Sequence, residues 1–137
     1  MLDGVQDPGN MGALMRSAAA FGFDTMFIGN GSVDIYNDKV IRSSQGAIFK
    51  INFHFGDCVE FIKKLNDYKV YGTNVVRGLP LDDIEKSLKI AIILGNEGNG
   101  ISDEVDSLGL PNVYIPMSNT ESLNVSVAGG IIMYELR

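Results

Sequence analysis

Several features that often define a protein class are scarce or missing in this sequence. Among its 137 residues there is one cysteine, Cys58, and one histidine, His54. A single cysteine excludes an internal disulfide framework, and the two residues offer no cluster of metal ligands. No apolar stretch approaches the roughly 20 residues that a helix needs to cross a bilayer. These absences favour a globular protein of a reducing, cytoplasmic compartment.

Two common nucleotide-binding motifs and a basic surface are also missing. The glycine-rich stretch at residues 95–100 is not followed by Lys-Ser or Lys-Thr, so it is not a P-loop, and no G-x-G-x-x-G pattern is present. Eleven basic residues stand against seventeen acidic ones, for a net charge of −6. Nucleic-acid-binding proteins usually carry a basic footprint, because neutralising phosphates drives much of their affinity. Any RNA contact is therefore expected to be local, or to be supplied by another domain.

The length and composition predict one globular domain, with 45% hydrophobic and 20% charged residues. Short apolar runs alternate with helical patterns, which predicts an α/β fold with a mostly parallel sheet covered by helices. Asn10 and Ser122 are the predicted N-caps of the first and last helices. We predict strands at 2–5, 24–29, 51–55, 70–73, 90–94 and 113–115, and helices at 11–21, 38–46, 58–65, 102–108 and 122–136.

Three separated segments carry small polar and glycine residues beside predicted strand ends. The first is residues 7–12 (Asp-Pro-Gly-Asn-Met-Gly) with Arg16, the second is residues 94–100, and the third comprises residues 115–117 and 122–125. In an α/β sheet, ligands usually bind where the carboxyl ends of the strands meet. The three segments are therefore expected to converge at one edge of the sheet.

Each segment also has a purely structural interpretation. The small residues around Arg16 fit a close-packed helix face with a surface arginine, the glycine loop fits a plain turn, and Ser122 fits a helix cap. Asn124 is harder to explain, because asparagine is a weak helix former. Gly129 and Gly130 lie in the middle of the predicted last helix, where each costs roughly 1 kcal/mol relative to alanine. Something is therefore expected to approach this helix closely.

The predicted last helix is apolar on two faces, which is typical of a buried helix. One face can cover the sheet and the other can meet a second subunit, so a homodimer is expected. The two sets are Leu123, Val127, Ile131 and Tyr134 on one face, and Val125, Ala128, Ile132 and Leu136 on the other.

Together, the three ordered segments resemble the signature motifs of the SpoU (TrmH-like) family of RNA 2′-O-ribose methyltransferases, in the SPOUT superfamily. The resemblance implies a SPOUT-type fold with a C-terminal trefoil knot, S-adenosylmethionine as cofactor, rRNA or tRNA as substrate, and a homodimer without a metal. The catalytic residues it implies are Asn10, Arg16, Glu97, Ser122 and Asn124. The cofactor contacts it implies, largely through the backbone, are Thr73, Gly95, Ile115 and Leu123.

Two of these roles stay open. The resemblance implies that Arg16 accepts the proton of the ribose hydroxyl, but arginine normally stays protonated, so a phosphate clamp that orients the ribose is a second interpretation. Glu97 is expected to accept hydrogen bonds from substrate or to orient Arg16, unless it is a solvated loop acid. Arg42, with Ser44 and Gly46, resembles a weaker block of the family, and both an RNA contact and an exposed arginine without function fit it.

We expect residues 1–137 to form a single SpoU-type catalytic domain, with an N-terminal substrate-binding region that is absent from this chain. Residues 2–5 are typical of the tail of a longer strand, which supports this expectation. Two other functions are considered: a non-catalytic module that binds S-adenosylmethionine and RNA, and an unrelated α/β nucleotide-binding enzyme. The intact motifs argue against the first and the missing nucleotide-binding motifs against the second.

Overall fold

The computed structural model describes all 137 residues as alternating strands and helices. The strands are β1 (Leu2–Asp3), β2 (Thr25–Gly29), β3 (Asn52–Gly56), β4 (Lys69–Thr73), β5 (Leu79–Pro80), β6 (Ile90–Gly95) and β7 (Asn112–Tyr114). The α-helices are α1 (Pro8–Ala20), α2 (Asp38–Ser44), α3 (Cys58–Ile62), α4 (Asp103–Asp106) and α5 (Val125–Leu136), and two 3₁₀ turns cover Ala47–Lys50 and Leu81–Asp83.

The seven strands form one sheet in the order β3-β2-β1-β6-β4-β7-β5, and every strand pair is parallel. The parallel α/β architecture predicted from the sequence is therefore confirmed. The loops that follow β1, β6, β4 and β7 all leave the carboxyl edge of the sheet, so this edge gathers the three segments. The trefoil knot stays a prediction.

Helices cover both faces of the sheet. On one face α1, α2 and α5 contribute to a cluster of twenty buried apolar residues that includes Leu14, Val40 and Ile132. On the other face Cys58 and Ile62 of α3 pack with Val105 of α4 in a second, smaller cluster. None of the helices is long and apolar enough to span a bilayer.

Close packing explains the glycine pair in α5. A Cβ atom at Gly129 would overlap the side chain of Leu14 and come within 2.8 Å of Leu94, and one at Gly130 would lie 3.3 Å from the hydroxyl of Ser17. The expected close approach is therefore made by α1 and β6. Apolar side chains occupy both sides of α5: Ile132, Met133 and Leu136 are buried, whereas Val127, Ile131 and Tyr134 are exposed.

Both predicted helix caps are wrong. Helix α1 begins at Pro8, and its cap is Asp7, whose Oδ2 accepts a hydrogen bond from the Asn10 N–H (2.8 Å). Proline suits the first helical position because its missing N–H would have had no partner there. Helix α5 begins three residues later than predicted, and its cap is Asn124 rather than Ser122.

The edge strand β5 was not predicted. It has only two residues, Leu79 and Pro80, and proline is restricted to sheet edges because it cannot donate to the ladder. Strand β1 is equally short, whereas its neighbours β2 and β6 have five and six residues. Beyond the amino end of β1 these two neighbours border an apolar cavity of about 320 Å³, to which α5 also contributes.

Candidate active site

A cavity of about 690 Å³ lies at the carboxyl edge of the sheet, between the loops after β4, β6 and β7 and the start of α5. Four of the residues implied as catalytic line it: Asn10, Glu97, Ser122 and Asn124. The four residues implied as cofactor contacts line it as well: Thr73, Gly95, Ile115 and Leu123. The structure thus brings together every proposed site residue except Arg16.

A chain of side-chain hydrogen bonds joins the three segments. Nδ2 of Asn124 donates to Oδ1 of Asn10 (3.0 Å), and Nδ2 of Asn10 donates to Oε1 of Glu97 (3.3 Å). Because an ionised carboxylate only accepts, Glu97 fixes the orientation of the Asn10 amide, which in turn fixes that of Asn124. Oδ1 of Asn124 then accepts from the N–H groups of Ser126 and Val127, which caps α5. The three segments therefore meet, as the sheet-edge argument predicts.

Glu97 also holds the chain that enters α1. Its carboxylate accepts from the backbone N–H of Asp7 (2.8 Å) and from that of Gln6 (3.1 Å to each oxygen). Partial burial opposes ionisation of Glu97, but the hydrogen bonds from these backbone groups and from Asn10 outweigh it and lower the pKa of the carboxyl. Glu97 is therefore a connector between the first two segments, and within this chain it does not orient Arg16.

Replacing Glu97 with glutamine is expected to lower the melting temperature at neutral pH by about 5–10 °C, since hydrogen bonds to a charged group contribute about 1.5–3 kcal/mol. The pKa is lower in the folded chain than in the unfolded chain. The ionised form therefore stabilises the fold above the ordinary glutamate pKa, and this stabilisation is lost as pH falls through the folded-state value. The difference in melting temperature between variant and parent should shrink on acidification. Glu104→Gln, a substitution of an exposed glutamate in α4, serves as the control. A pH-independent difference would contradict this role.

The glycine loop after β6 is closed by its own backbone. Asn96 and Gly100 exchange two backbone hydrogen bonds of 2.9 Å, which forms an isolated antiparallel bridge. A Cβ atom at Gly95 would overlap the backbone of Gly100 and Ile101. The loop's own backbone therefore requires glycine at position 95.

Two further residues support this edge and were not among the predicted site residues. Asn96 donates through Nδ2 to the carbonyl of Gly4 (2.9 Å) and accepts from two N–H groups of its own loop. Asp3, 9% exposed, accepts from the Ser102 N–H (2.7 Å) at the start of α4. An acid inside an apolar strand and an asparagine before a glycine loop are the sequence signals that could have identified them.

The implied cofactor contacts differ in what their side chains offer. The hydroxyl of Thr73 donates to the carbonyl of Ile93 (2.9 Å), so this donor is used inside the sheet. Ile115 and Leu123 are half-buried and flank the irregular segment between β7 and α5. Ser122 is exposed, and its carbonyl accepts from the hydroxyl of Thr120 (3.2 Å). Ile115 and Leu123 therefore supply apolar parts of a wall that also carries polar side chains such as those of Asn10, Glu97 and Asn124.

Arg16 lies outside this cavity. Six residues separate it from Asn10, which places the two side chains about 120° apart around a helix that turns 100° per residue. Arg16 is exposed and takes part in none of the six ion pairs of the chain. Asn10 and Arg16 therefore lie on different sides of α1, and the catalytic role of Arg16 stays a prediction.

Arg42 is also not among the residues that line the cavity. It forms an ion pair with Asp38 one turn earlier on α2, and both side chains are exposed. The neighbouring Ser44 is fully buried, and its hydroxyl donates to the carbonyl of Ile41 (2.8 Å). No group of three or more His, Cys, Asp or Glu side chains is arranged to hold a metal ion.

Comparison with known proteins gives consistent matches over the whole chain. Residues 1–134 match the model of the SpoU rRNA Methylase family. A Bacillus subtilis protein described as 23S rRNA (guanosine(2553)-2′-O)-methyltransferase RlmP is 39% identical over 140 residues, which cover 100% of this chain and 56% of that protein. The chain thus spans about half the length of this curated relative.

Solved structures give the same result. The AdoMet-bound rRNA methyltransferase from Sinorhizobium meliloti superposes with a TM-score of 0.91 at 28% identity, covering 99% of this chain and 54% of that one. The SpoU methyltransferase AviRb from Streptomyces viridochromogenes, in complex with the cofactor AdoMet, has a TM-score of 0.87 at 28% identity, covering 98% and 57%.

Proposed function

Because this chain belongs to the SpoU rRNA methylase family, we propose that it transfers a methyl group from S-adenosylmethionine to a ribose 2′-hydroxyl of RNA. The observation that carries the proposal is the meeting of three separated segments around one cavity through the Asn124–Asn10–Glu97 hydrogen bonds. Family membership argues against an unrelated nucleotide-binding enzyme. The remaining alternative is a module that binds the same molecules without catalysis.

The features of the cavity fit S-adenosylmethionine. A volume of about 690 Å³ falls in the range of roughly 300–1,000 Å³ that small-molecule sites usually have. Ile115 and Leu123 offer apolar walls to an adenine ring, and the backbone beside Gly95 and Thr73 offers hydrogen-bonding groups. Bound there, the cofactor supplies a methyl group on a positively charged sulfur.

The residues of the chain then have two kinds of task. Methyl transfer requires in-line alignment of the reacting groups, which is worth up to about 7–11 kcal/mol in favourable systems, and removal of the hydroxyl proton. Because the side chains of Glu97 and Asn10 are hydrogen-bonded to each other, we assign both residues to positioning the first segment. Ser122 and Asn124 line the cavity at the start of α5, where they can contact the ribose.

Replacing Asn124 with aspartate separates its two roles. Aspartate is as good an N-cap as asparagine, so the part of the stability that comes from capping α5 should be kept. It cannot donate to Asn10, however, and it adds a charge to the cavity, so we expect methyl transfer to fall at least about tenfold through the lost hydrogen bond. Asn124→Ala should lower stability as well, by about 1 kcal/mol. Full activity of the aspartate variant would remove the Asn124–Asn10 bond from the mechanism.

The direct test is transfer of a tritiated methyl group into fractionated RNA, followed by mapping of the modified ribose. The Bacillus subtilis relative makes 23S rRNA the first substrate to assay and tRNA the second. Calorimetry with S-adenosylmethionine, NAD and ATP tests the cavity separately. Cofactor binding without methylation of any RNA would favour the non-catalytic module, and binding of NAD or ATP instead would contradict the proposal.

We also propose that part of the RNA specificity lies in a substrate-binding region outside these residues. The net charge of −6 supports this, since phosphate contacts usually require a basic footprint. The relative is longer than this chain, which leaves room for such a region. The reaction would take place in the cytoplasm, where the proposed RNA substrates are found.

A homodimer is the proposed assembly. Val127, Ile131 and Tyr134 are 50%, 39% and 51% exposed on one face of α5, although Phe21 and Arg137 pack against the Tyr134 ring. Ser17 of α1 lies against this helix at Gly130, and the exposed Arg16 directly precedes it in the sequence. Pairing of two chains through this face would bury the apolar stripe and could bring Arg16 of one chain to the cavity of the other. Sedimentation should detect a dimer, and Ile131→Glu should disrupt it.

A further inference from the structure

Two of the most exposed aromatic side chains lie in one short stretch of the chain. Phe49, in the 3₁₀ turn after α2, is 89% exposed, and Tyr36, just before α2, is 67% exposed. An exposed ring of this size forgoes the free energy that its burial would contribute. The side chains of Tyr36, Lys39, Arg42, Phe49 and Lys50 are all exposed, and we name them the 36–50 surface.

The local backbone accounts for this exposure. Helix α2 buries Val40 and Ser44. Gln45 (φ 50°) and Gly46 (φ 81°) then adopt left-handed conformations in succession and redirect the chain. The turn that follows buries Ala47 and leaves Phe49 exposed. One side of this segment is therefore buried in the core, and the other side, with Phe49, is exposed.

The charge of this segment is opposite to that of the whole chain. Residues 36–50 contain three basic residues and one acid, a net charge of +2, whereas the whole chain carries −6. Six of the eleven basic side chains form ion pairs with acids, but Lys39 and Lys50 do not. Unpaired cations beside exposed aromatic rings fit RNA, because phosphates neutralise the cations and unstacked bases stack on the rings.

Helix α1 connects this segment to the cavity. Helix α2 packs on α1 so closely that a Cβ atom at Gly12 would come within 2.8 Å of the Ser44 nitrogen. Gly12 is two residues from Asn10, which lines the cavity. Helix α1 therefore lies between the cavity and α2, with Asn10 on the cavity side and Gly12 on the α2 side.

We propose that the 36–50 surface is a second RNA contact, outside the cavity, which binds flanking single-stranded nucleotides by base stacking and phosphate neutralisation. The inference rests on the proposed function, since it takes RNA to be the substrate. It assigns substrate affinity to residues that neither line the cavity nor contact the cofactor.

The test uses paired charge reversals in the full chain. The double variant Lys39→Glu with Lys50→Glu should raise the KM for RNA at least about tenfold. The slope of the logarithm of RNA affinity against the logarithm of salt concentration should fall by the amount that about two phosphate contacts contribute. Lys63→Glu with Lys64→Glu, beside α3 on the opposite face of the sheet, changes the net charge equally and should have little effect. Calorimetry should give the same S-adenosylmethionine affinity for both variants.

Phe49 provides an independent readout. Phe49→Ala should weaken RNA binding about 5- to 100-fold, the usual range for loss of one stacked base, and Phe49→Tyr should restore it. Melting temperature and sedimentation report on folding and assembly. Equal RNA affinity of the 39/50 and 63/64 variants, or a Phe49→Ala protein that loses its dimer rather than its RNA, would overturn the inference. If the parent protein methylates no RNA, both proposals fail, whereas normal methylation by every variant overturns only this one.

Discussion

Replacing Arg16 with alanine is expected to reduce methyl transfer by about 100-fold or more, which is the usual contribution of a group that positions or accepts a transferred proton. S-adenosylmethionine affinity should not change, because Arg16 does not line the cavity of its own chain and both roles considered for it concern the RNA rather than the cofactor. Stability should also change little, since the side chain is exposed and forms no ion pair with an acid. Single-turnover assays and calorimetry measure these two quantities separately.

Arg16→Lys distinguishes the two roles considered for this residue. Lysine keeps the positive charge but loses the planar, forked donor geometry of arginine. A phosphate clamp should therefore retain part of the rate in the lysine variant and show a raised KM for RNA. Unchanged turnover in Arg16→Ala would remove the residue from the site altogether.

Mixed dimers test whether Arg16 acts across the interface. When Arg16→Ala and Asn10→Ala chains are combined, a mixed dimer has one cavity with intact Asn10 that faces the intact Arg16 of the other chain. Random pairing in a two-fold dimer should therefore restore about a quarter of the parental activity. If Arg16 instead acted on the cavity of its own chain, every site would carry one defect and the mixture would stay inactive.

The sheet and the meeting of the segments were predictable because they depend on local patterns. Continuous apolar runs such as Ile90–Gly95 form buried parallel strands, and loops at the carboxyl ends of such strands share one edge. The angle between Asn10 and Arg16 could also have been read from their spacing, and it argues against a shared ligand within one chain.

The helix caps could not be predicted in the same way, because distant contacts select them. Asn10 is a good cap by type, but its side chain binds Glu97, which lies 87 residues away in sequence. Asp7 therefore caps α1 while Asn10 occupies the third helical position. Asn124 both caps α5 and donates to Asn10, 114 residues away, which is why its presence near a helix start could not be explained by helix propensity.

Replacing Gly95 with alanine is expected to abolish S-adenosylmethionine binding and to destabilise the fold by about 1–3 kcal/mol, the usual cost of overpacking. The added Cβ would overlap backbone atoms of Gly100 and Ile101, and backbone cannot rotate away as a flexible side chain can. The bridge between Asn96 and Gly100 would have to open, which would reshape the cavity wall. Calorimetry and thermal unfolding measure the two effects.

Gly98→Ala is the matched control in the same loop. Its Cβ would lie 3.5 Å from Oδ1 of Asn96, an ordinary contact, and Gly98 does not have a positive φ. This variant should therefore bind S-adenosylmethionine like the parent and melt within a few degrees of it. If both variants bound the cofactor normally, the loop after β6 would not form its site. If both lost binding, the loop would need glycine for ligand approach rather than for its own closure. If the backbone bridge between Asn96 and Gly100 shapes the cofactor site, Gly95→Ala should lose S-adenosylmethionine binding and Gly98→Ala should keep it.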